Sequence, residues 1–112
     1  LCPSGWHVPA NEEGTTLTEE LGGVGAAGGK LKSSLSDSPP GDGTNESGFS
    51  ALGGGQYDSP YTFGDKGYYW SSTEYTENTD KAWYRLMSAG GNGVFIYQLL
   101  KREALAVRCL RD

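Results

Sequence analysis

Cysteine, histidine and methionine are nearly missing from this chain: two Cys, one His and one Met in 112 residues. A zinc site on two thiols would need His or carboxylate partners at close spacing, and His7 is the sole histidine. Basic residues are also few, nine Lys and Arg against fourteen Asp and Glu, for a net charge of −5. That balance argues against nucleic acid, which needs clustered cations, and disfavours an anionic membrane surface. No apolar run approaches the ~20 residues that span a bilayer, so direct membrane insertion is not expected. Hydrophobic residues make up only 36% of the chain, too few for a helical bundle, whereas glycine reaches 18 residues. Such a composition favours loops and short strands.

The length suits one domain over residues 1–112 and leaves no room for two. Leu1-Cys2-Pro3 has neither the charged region nor the apolar run of a signal peptide, so the chain reads as a piece of a longer precursor. Cys2 and Cys109 stand near its two ends, and their pairing is the simplest use of both. A disulfide there closes a loop of roughly 107 residues and contributes up to about 4–5 kcal/mol by chain entropy. Such bonds persist outside the reducing cytosol, which points to an extracellular or cell-surface setting.

Along the chain, Trp6-His7-Val8 reads as a short strand stopped by Pro9. Asn11 to Leu21 reads as a helix, with Glu12 and Glu13 in its first turn and Leu17 and Leu21 as a buried stripe. Gly22-Gly23 ends it. Gly14 inside it is an oddity, costing about 1 kcal/mol relative to Ala. Ala26 to Lys32 suits a second, shorter helix. A polar loop from Ser36 to Gly48, a short strand Phe49 to Leu52 and an irregular excursion from Gln56 to Gly67 follow. The remainder is strand-like: Tyr68 to Thr73, Ala82 to Met87, Val94 to Tyr97 and a closing strand from Leu105 to Leu110. Asn92-Gly93 carries the strongest hairpin signal. Helices first, antiparallel strands afterwards, make an α+β domain.

Several stretches carry a resemblance in combination: Cys2-Pro3-Ser4-Gly5-Trp6-His7-Val8-Pro9, Thr44 to Leu52, Tyr69-Trp70-Ser71-Ser72-Thr73-Glu74, Ala82-Trp83-Tyr84-Arg85 and Val107-Arg108-Cys109. Together they resemble the Fibrobacter succinogenes major paralogous domain over essentially the whole chain. The resemblance implies a C-type-lectin-like fold: paired termini, two helices, a small twisted antiparallel sheet, and long loops presenting a binding surface. It also links the chain to diversified variable proteins and to the formylglycine-generating-enzyme group. There are departures. Relatives usually carry Thr or Ser at position 10 and Trp at position 14, where this chain has Ala10 and Gly14; Asn11 then becomes the expected helix cap. Gln98 to Arg102 and Ala104-Leu105-Ala106 replace stretches that are usually polar or Gly-Phe-Ser.

No catalytic constellation emerges. A Ser–His–Asp arrangement would have to use His7, which sits near the paired termini, and the two cysteines are spent on each other. The chain reads as a non-enzyme. The triplets of calcium-dependent lectins are absent. Asp42, Asn45 and Glu46 in the polar loop offer oxygen ligands for a structural calcium without the spacing of any defined loop, and turn capping is the competing reading. Trp6, Trp70 and Trp83 are expected in the core.

The candidate surface is aromatic. Strict alternation after Asn92-Gly93 puts Phe95, Tyr97 and Leu99 on one face, with Leu100 at the exit, provided Val94 and Ile96 point inward. Tyr57 and Tyr61 in the long excursion are expected to join them. An outward aromatic and aliphatic row usually marks an interaction site. The expected function is a binding module for a protein or glycan ligand. The alternative is a structural domain that packs against a neighbouring domain of its parent chain.

Overall fold

The computed structural model describes residues 1–34, 43–53 and 66–112. Seven elements run in the order β1 (Trp6–His7), α1 (Asn11–Glu20), α2 (Ala27–Leu31), β2 (Lys66–Glu74), β3 (Lys81–Ser88), β4 (Phe95–Leu100) and β5 (Leu110–Arg111). The architecture is α+β, with β2-β3-β4 as one antiparallel sheet and β1-β5 as a two-stranded ribbon.

The ends of the chain lie side by side, as the cysteine placement implies. Trp6 pairs with Arg111 and His7 with Leu110. Cys2 and Cys109 are bonded, with Cα atoms 5.9 Å apart. The expected closing strand from Leu105 to Leu110 is instead split. Ala106 makes an isolated parallel bridge to Tyr69 on the outer edge of β2, and only Leu110–Arg111 pairs with β1. One segment thus serves both sheets and must bend between them. The expected strand from Phe49 to Leu52 likewise shrinks to a single parallel bridge, Ala51 to Lys32.

Helix α1 forms where its acidic first turn predicts, but its face differs from the expectation. Thr18 is its buried residue, while Leu17 remains 38% exposed. The reason lies across the sheet. Arg85 of β3 rises against α1, donating from Nη1 to Asn11 Oδ1 (2.8 Å) and from Nη2 to Asn11 O (3.1 Å) and Thr15 Oγ1 (3.0 Å). A Cβ on Gly14 would lie 2.5 Å from Arg85 Cζ, so the glycine leaves room for the guanidinium. Asn11 is therefore an anchor for Arg85 and not the helix cap. Ala10 occupies the cap position, and Glu13 Oε2 accepts from its backbone N–H at 2.8 Å.

The core is small. Ala27, Leu31, Ala51, Met87 and Val94 form it, with Leu21, Phe49 and Tyr69 packed against it. None of the three tryptophans belongs to it; Trp6 is 45% exposed, and Trp70 and Trp83 are half-buried in contact with Tyr84 and Tyr75. Register places Trp70 on the Tyr84 face of the sheet, away from Arg85 and α1, and Trp6 lies on the terminal β1–β5 ribbon.

Helix α2 packs on the six-residue connection from β3 to β4; the hairpin forms, but its turn is not at Asn92-Gly93. The turn falls at Ala89-Gly90, with Gly90 at φ +80°. Asn92-Gly93 does another job: Asn92 O accepts from Gly28 N–H at 2.8 Å, and Val94 N–H donates to Val24 O at 2.7 Å. A Cβ on Gly28 would sit 2.8 Å from Asn92 O, so the glycine run in α2 permits close backbone approach and is no turn. Lys32, with no exposed surface, closes the contact by donating from Nζ to Ser88 O (3.0 Å) and Gly91 O (2.6 Å).

Two stability outcomes follow from this architecture. Replacing Cys2 and Cys109 by Ala should lower the unfolding free energy by up to about 4–5 kcal/mol in urea titrations. The denatured, unreduced chain should show no titratable thiol. Gly28→Ala should cost about 1–3 kcal/mol by overpacking, whereas Gly25→Ala, which meets nothing within 4 Å, should stay within about 0.5 kcal/mol.

Candidate functional site

The register of β3 and β4 sorts their side chains onto two faces. Tyr84 stands opposite Tyr97, Leu86 opposite Phe95 and Ala82 opposite Leu99, and residues directly opposite share a face. Arg85, opposite Ile96, takes the other face with α1. The outer face is therefore aromatic. Phe95 and Tyr97 are 46% and 47% exposed, and their rings stack at 6.4 Å with planes 2° apart. Tyr97 leans on Tyr84 at 6.1 Å, which in turn meets Tyr68 at 5.8 Å and Trp70 at 6.1 Å. The row thus continues inward to a fully buried end at Tyr68, 6% exposed. Burial, and then the neighbouring Tyr68 and Tyr97, holds the Tyr84 hydroxyl above the usual tyrosine pKa, so it stays a neutral donor.

Two further features define the site. β4 is an edge strand of its sheet, and from Phe95 to Leu99 its backbone bonds only to β3 among the described residues. Alternate N–H and C=O groups therefore point away from the sheet. Leu99 and Leu100 are half-buried and, one residue apart, face opposite sides. Leu99 extends the aromatic row, and Leu100 turns to the inner face opposite Lys81. Tyr57 and Tyr61 lie outside the described residues.

Of the calcium candidates, Asp42 also lies outside the described residues. Asn45 sits at φ +54°, accepting from Ser50 N–H at Oδ1 and donating from Nδ2 to Ser50 Oγ, both at 2.8 Å. Glu46 accepts from Thr44 Oγ1 at 3.1 Å. These bonds close the 43–51 turn that wraps α2, where Thr44 N–H donates to Gly29 O at 2.7 Å and Ser47 Oγ to Lys30 O at 2.9 Å. Among the described residues no three His, Cys, Asp or Glu side chains group as metal ligands. No described helix is long and apolar enough to cross a membrane.

His7 lies between two carboxylates and beside no described nucleophile. Its Nδ1 is 2.6 Å from Asp112 Oδ1, and Nε2 is 3.0 Å from both oxygens of Glu13. Those bonds, Glu13 first, raise its pKa. The Ala10 N–H, then His7, lowers that of Glu13. The cluster ties the paired termini to α1. Sequence reasoning placed His7 near the termini but missed Arg85 and Lys32, because neither residue lies in an apolar periodic pattern. For Arg85 the signal was the glycine that faces its guanidinium, Gly14.

A family model described as the Fibrobacter succinogenes major domain matches residues 1–111. No curated protein and no solved structure matches the chain.

The His7 cluster makes stability pH-dependent with a definite sign. A raised histidine pKa stabilises the fold fully below its ordinary 6.5 and loses that contribution as pH rises through the folded value. The lowered Glu13 pKa contributes above its ordinary 4.5 and fades as pH falls through its folded value. The melting-temperature gap between the native chain and His7→Gln should peak between these two values and shrink steadily toward alkaline pH.

Proposed function

The chain belongs to the Fibrobacter succinogenes major domain family, a description that names no activity, and on that premise we propose a non-catalytic recognition domain that binds a protein partner through β4. The observation that carries the reading is the pair of stacked, half-exposed rings of Phe95 and Tyr97 on an edge strand. Aromatic side chains supply rigid contact area at low entropic cost. An open strand edge supplies main-chain donors and acceptors that an extended peptide segment can satisfy in register. The two features together favour protein over glycan. Sugar recognition couples stacking to amide or carboxylate hydrogen bonds, and the outer row of β3 and β4 consists of Ala82, Tyr84, Leu86, Phe95, Tyr97 and Leu99.

The wider setting follows the same line. The Cys2–Cys109 bond suits an oxidising compartment, so the domain works at the cell exterior. Paired termini, two helices and a small sheet support a C-type-lectin-like reading of the fold. With both cysteines bonded and His7 committed to carboxylates, chemistry of the formylglycine-generating kind has no thiol to use.

Affinity selection of a random short-peptide library on this chain tests the reading. Selected peptides should shift the amide signals of residues 95–99, and Phe95→Ser or Tyr97→Ser should each weaken them roughly tenfold or more while the fold persists. Peptides that leave β4 unperturbed would count for the alternative, a structural domain packed within a larger surface assembly.

A further inference from the structure

The inner face of the sheet holds a second feature that the β4 reading does not use. Between α1, α2 and the inner face lies a cavity of about 440 Å³, with Leu17, Leu31, Phe49, Tyr69, Met87 and Val94 in its wall. That is roughly three times the ~150 Å³ apolar cavity that holds a benzene ring, and within the range of small-molecule sites. Three of the large hydrophobic side chains left exposed on this chain, Trp6 (45%), Leu17 (38%) and Leu110 (42%), also line it. They come from β1, α1 and β5, so apolar surface continues from solvent into the cavity.

The charge of the wall is the second observation. Arg85 lines the cavity, and among the described residues its guanidinium bonds only to neutral oxygens, those of Asn11 and Thr15. Its Nε is buried with no hydrogen-bond partner. No carboxylate lies within ion-pair distance of it among the described residues. Glu13, the acidic residue in the wall, is engaged by His7 and the Ala10 N–H. Arg108 adds a second cation, held 4.6 Å over the Phe49 ring. Arg85 is half-buried, with only its Nε fully enclosed; a partly desolvated cation without a counter-charge is costly, and an incoming anion is the group that compensates it.

We propose that this cavity binds a small aromatic carboxylate, its ring against the apolar wall and its carboxylate toward Arg85. A neutral hydrocarbon would fill the space but leave the cation uncompensated. A phosphate or sugar would lose its hydration against a wall that offers few polar partners. The site lies across the sheet from Phe95 and Tyr97, so it stands independently of the protein-binding role.

The test uses two probes of one shape on the 112-residue chain, indole-3-acetate and the neutral indole-3-acetamide, followed by amide chemical shifts. The acid should bind roughly tenfold or more tightly than the amide, with shifts at Leu17, Leu31, Met87 and Val94. Because Arg85 also holds α1, Arg85→Gln is complemented by Leu17→Glu, at a position already partly exposed. Leu17→Glu should weaken the acid roughly tenfold and leave the amide within about twofold. Equal affinity for both probes, shifts outside the cavity, or binding of neither at millimolar concentration overturns the proposal.

Discussion

The close approach of α2 to the β3–β4 connection is the constraint on which the described fold depends. Five of its residues, Ala27 to Leu31, make one and a half turns, too short to be stable alone. The helix exists because its surroundings hold it. Gly28 lets the backbone of residues 92–93 come into contact and Gly29 makes room for the Asn92 side chain, the 43–51 turn caps carbonyls of Gly29 and Lys30, and the Lys32 ammonium reaches the carbonyls of Ser88, the last residue of β3, and Gly91. Each element in this cluster satisfies backbone groups of another. Removing one leaves the others with buried, unmade bonds, which cost more than the bonds themselves contribute.

Polar anchors carry this weight because apolar burial is scarce. Among the described residues, two of the five in the core cluster are alanine, and the others are Leu31, Met87 and Val94. Every ordered residue costs conformational entropy, and a small apolar cluster offsets only part of that cost. The disulfide reduces it from the unfolded side, and Lys32 and Arg85 reduce it from the folded side by tying separate elements together. Both cations are held by oxygens of elements remote in sequence, Arg85 to α1 from 70 and 74 positions away. Burial lowers the pKa of Arg85, the signature of a charge held at a desolvation cost.

What the sequence showed depended on whether the signal was local. The terminal clasp, α1 with its glycine stop, and the three strands of the main sheet were legible, since cysteine position, capping and alternation are written in neighbouring residues. Phe95 and Tyr97 on the outer face followed from alternation alone. The failures were tertiary. Asn92-Gly93 has the composition of a tight turn, but backbone contact with α2 claimed it. Thr18 is buried where Leu17 was expected to be, because the space over α1 went to Arg85. The tryptophans read as core from their motifs on expected strands, yet register turns Trp70 to the Tyr84 face and Trp6 lies on the terminal ribbon. The cavity beneath α1 had no sequence signal, since it is a property of what those elements fail to fill.

Register binds the two candidate surfaces to each other. Strand side chains alternate, so in this pairing Phe95 and Tyr97 point outward while Arg85 and Met87 point inward, and a slip of one residue in β4 would turn its rings to the inner face. A six-residue connection does not by itself fix that pairing as a two-residue turn would. Here the fixing is done from outside the hairpin: Val94 is pinned to Val24, Asn92 to Gly28, and the carbonyls of Ser88 and Gly91 to Lys32. The entry point of β4 is thus set by α2 before the strand begins. At the far end Lys101 pairs with Glu74 of β2 and its N–H donates to Asp80 O at 2.9 Å, so the exit is held as well. Between those clamps the outer edge of β4 carries its rings in one fixed register. An edge strand so pinned offers a partner a preorganised template, and the ordering cost of binding falls mainly on the incoming chain.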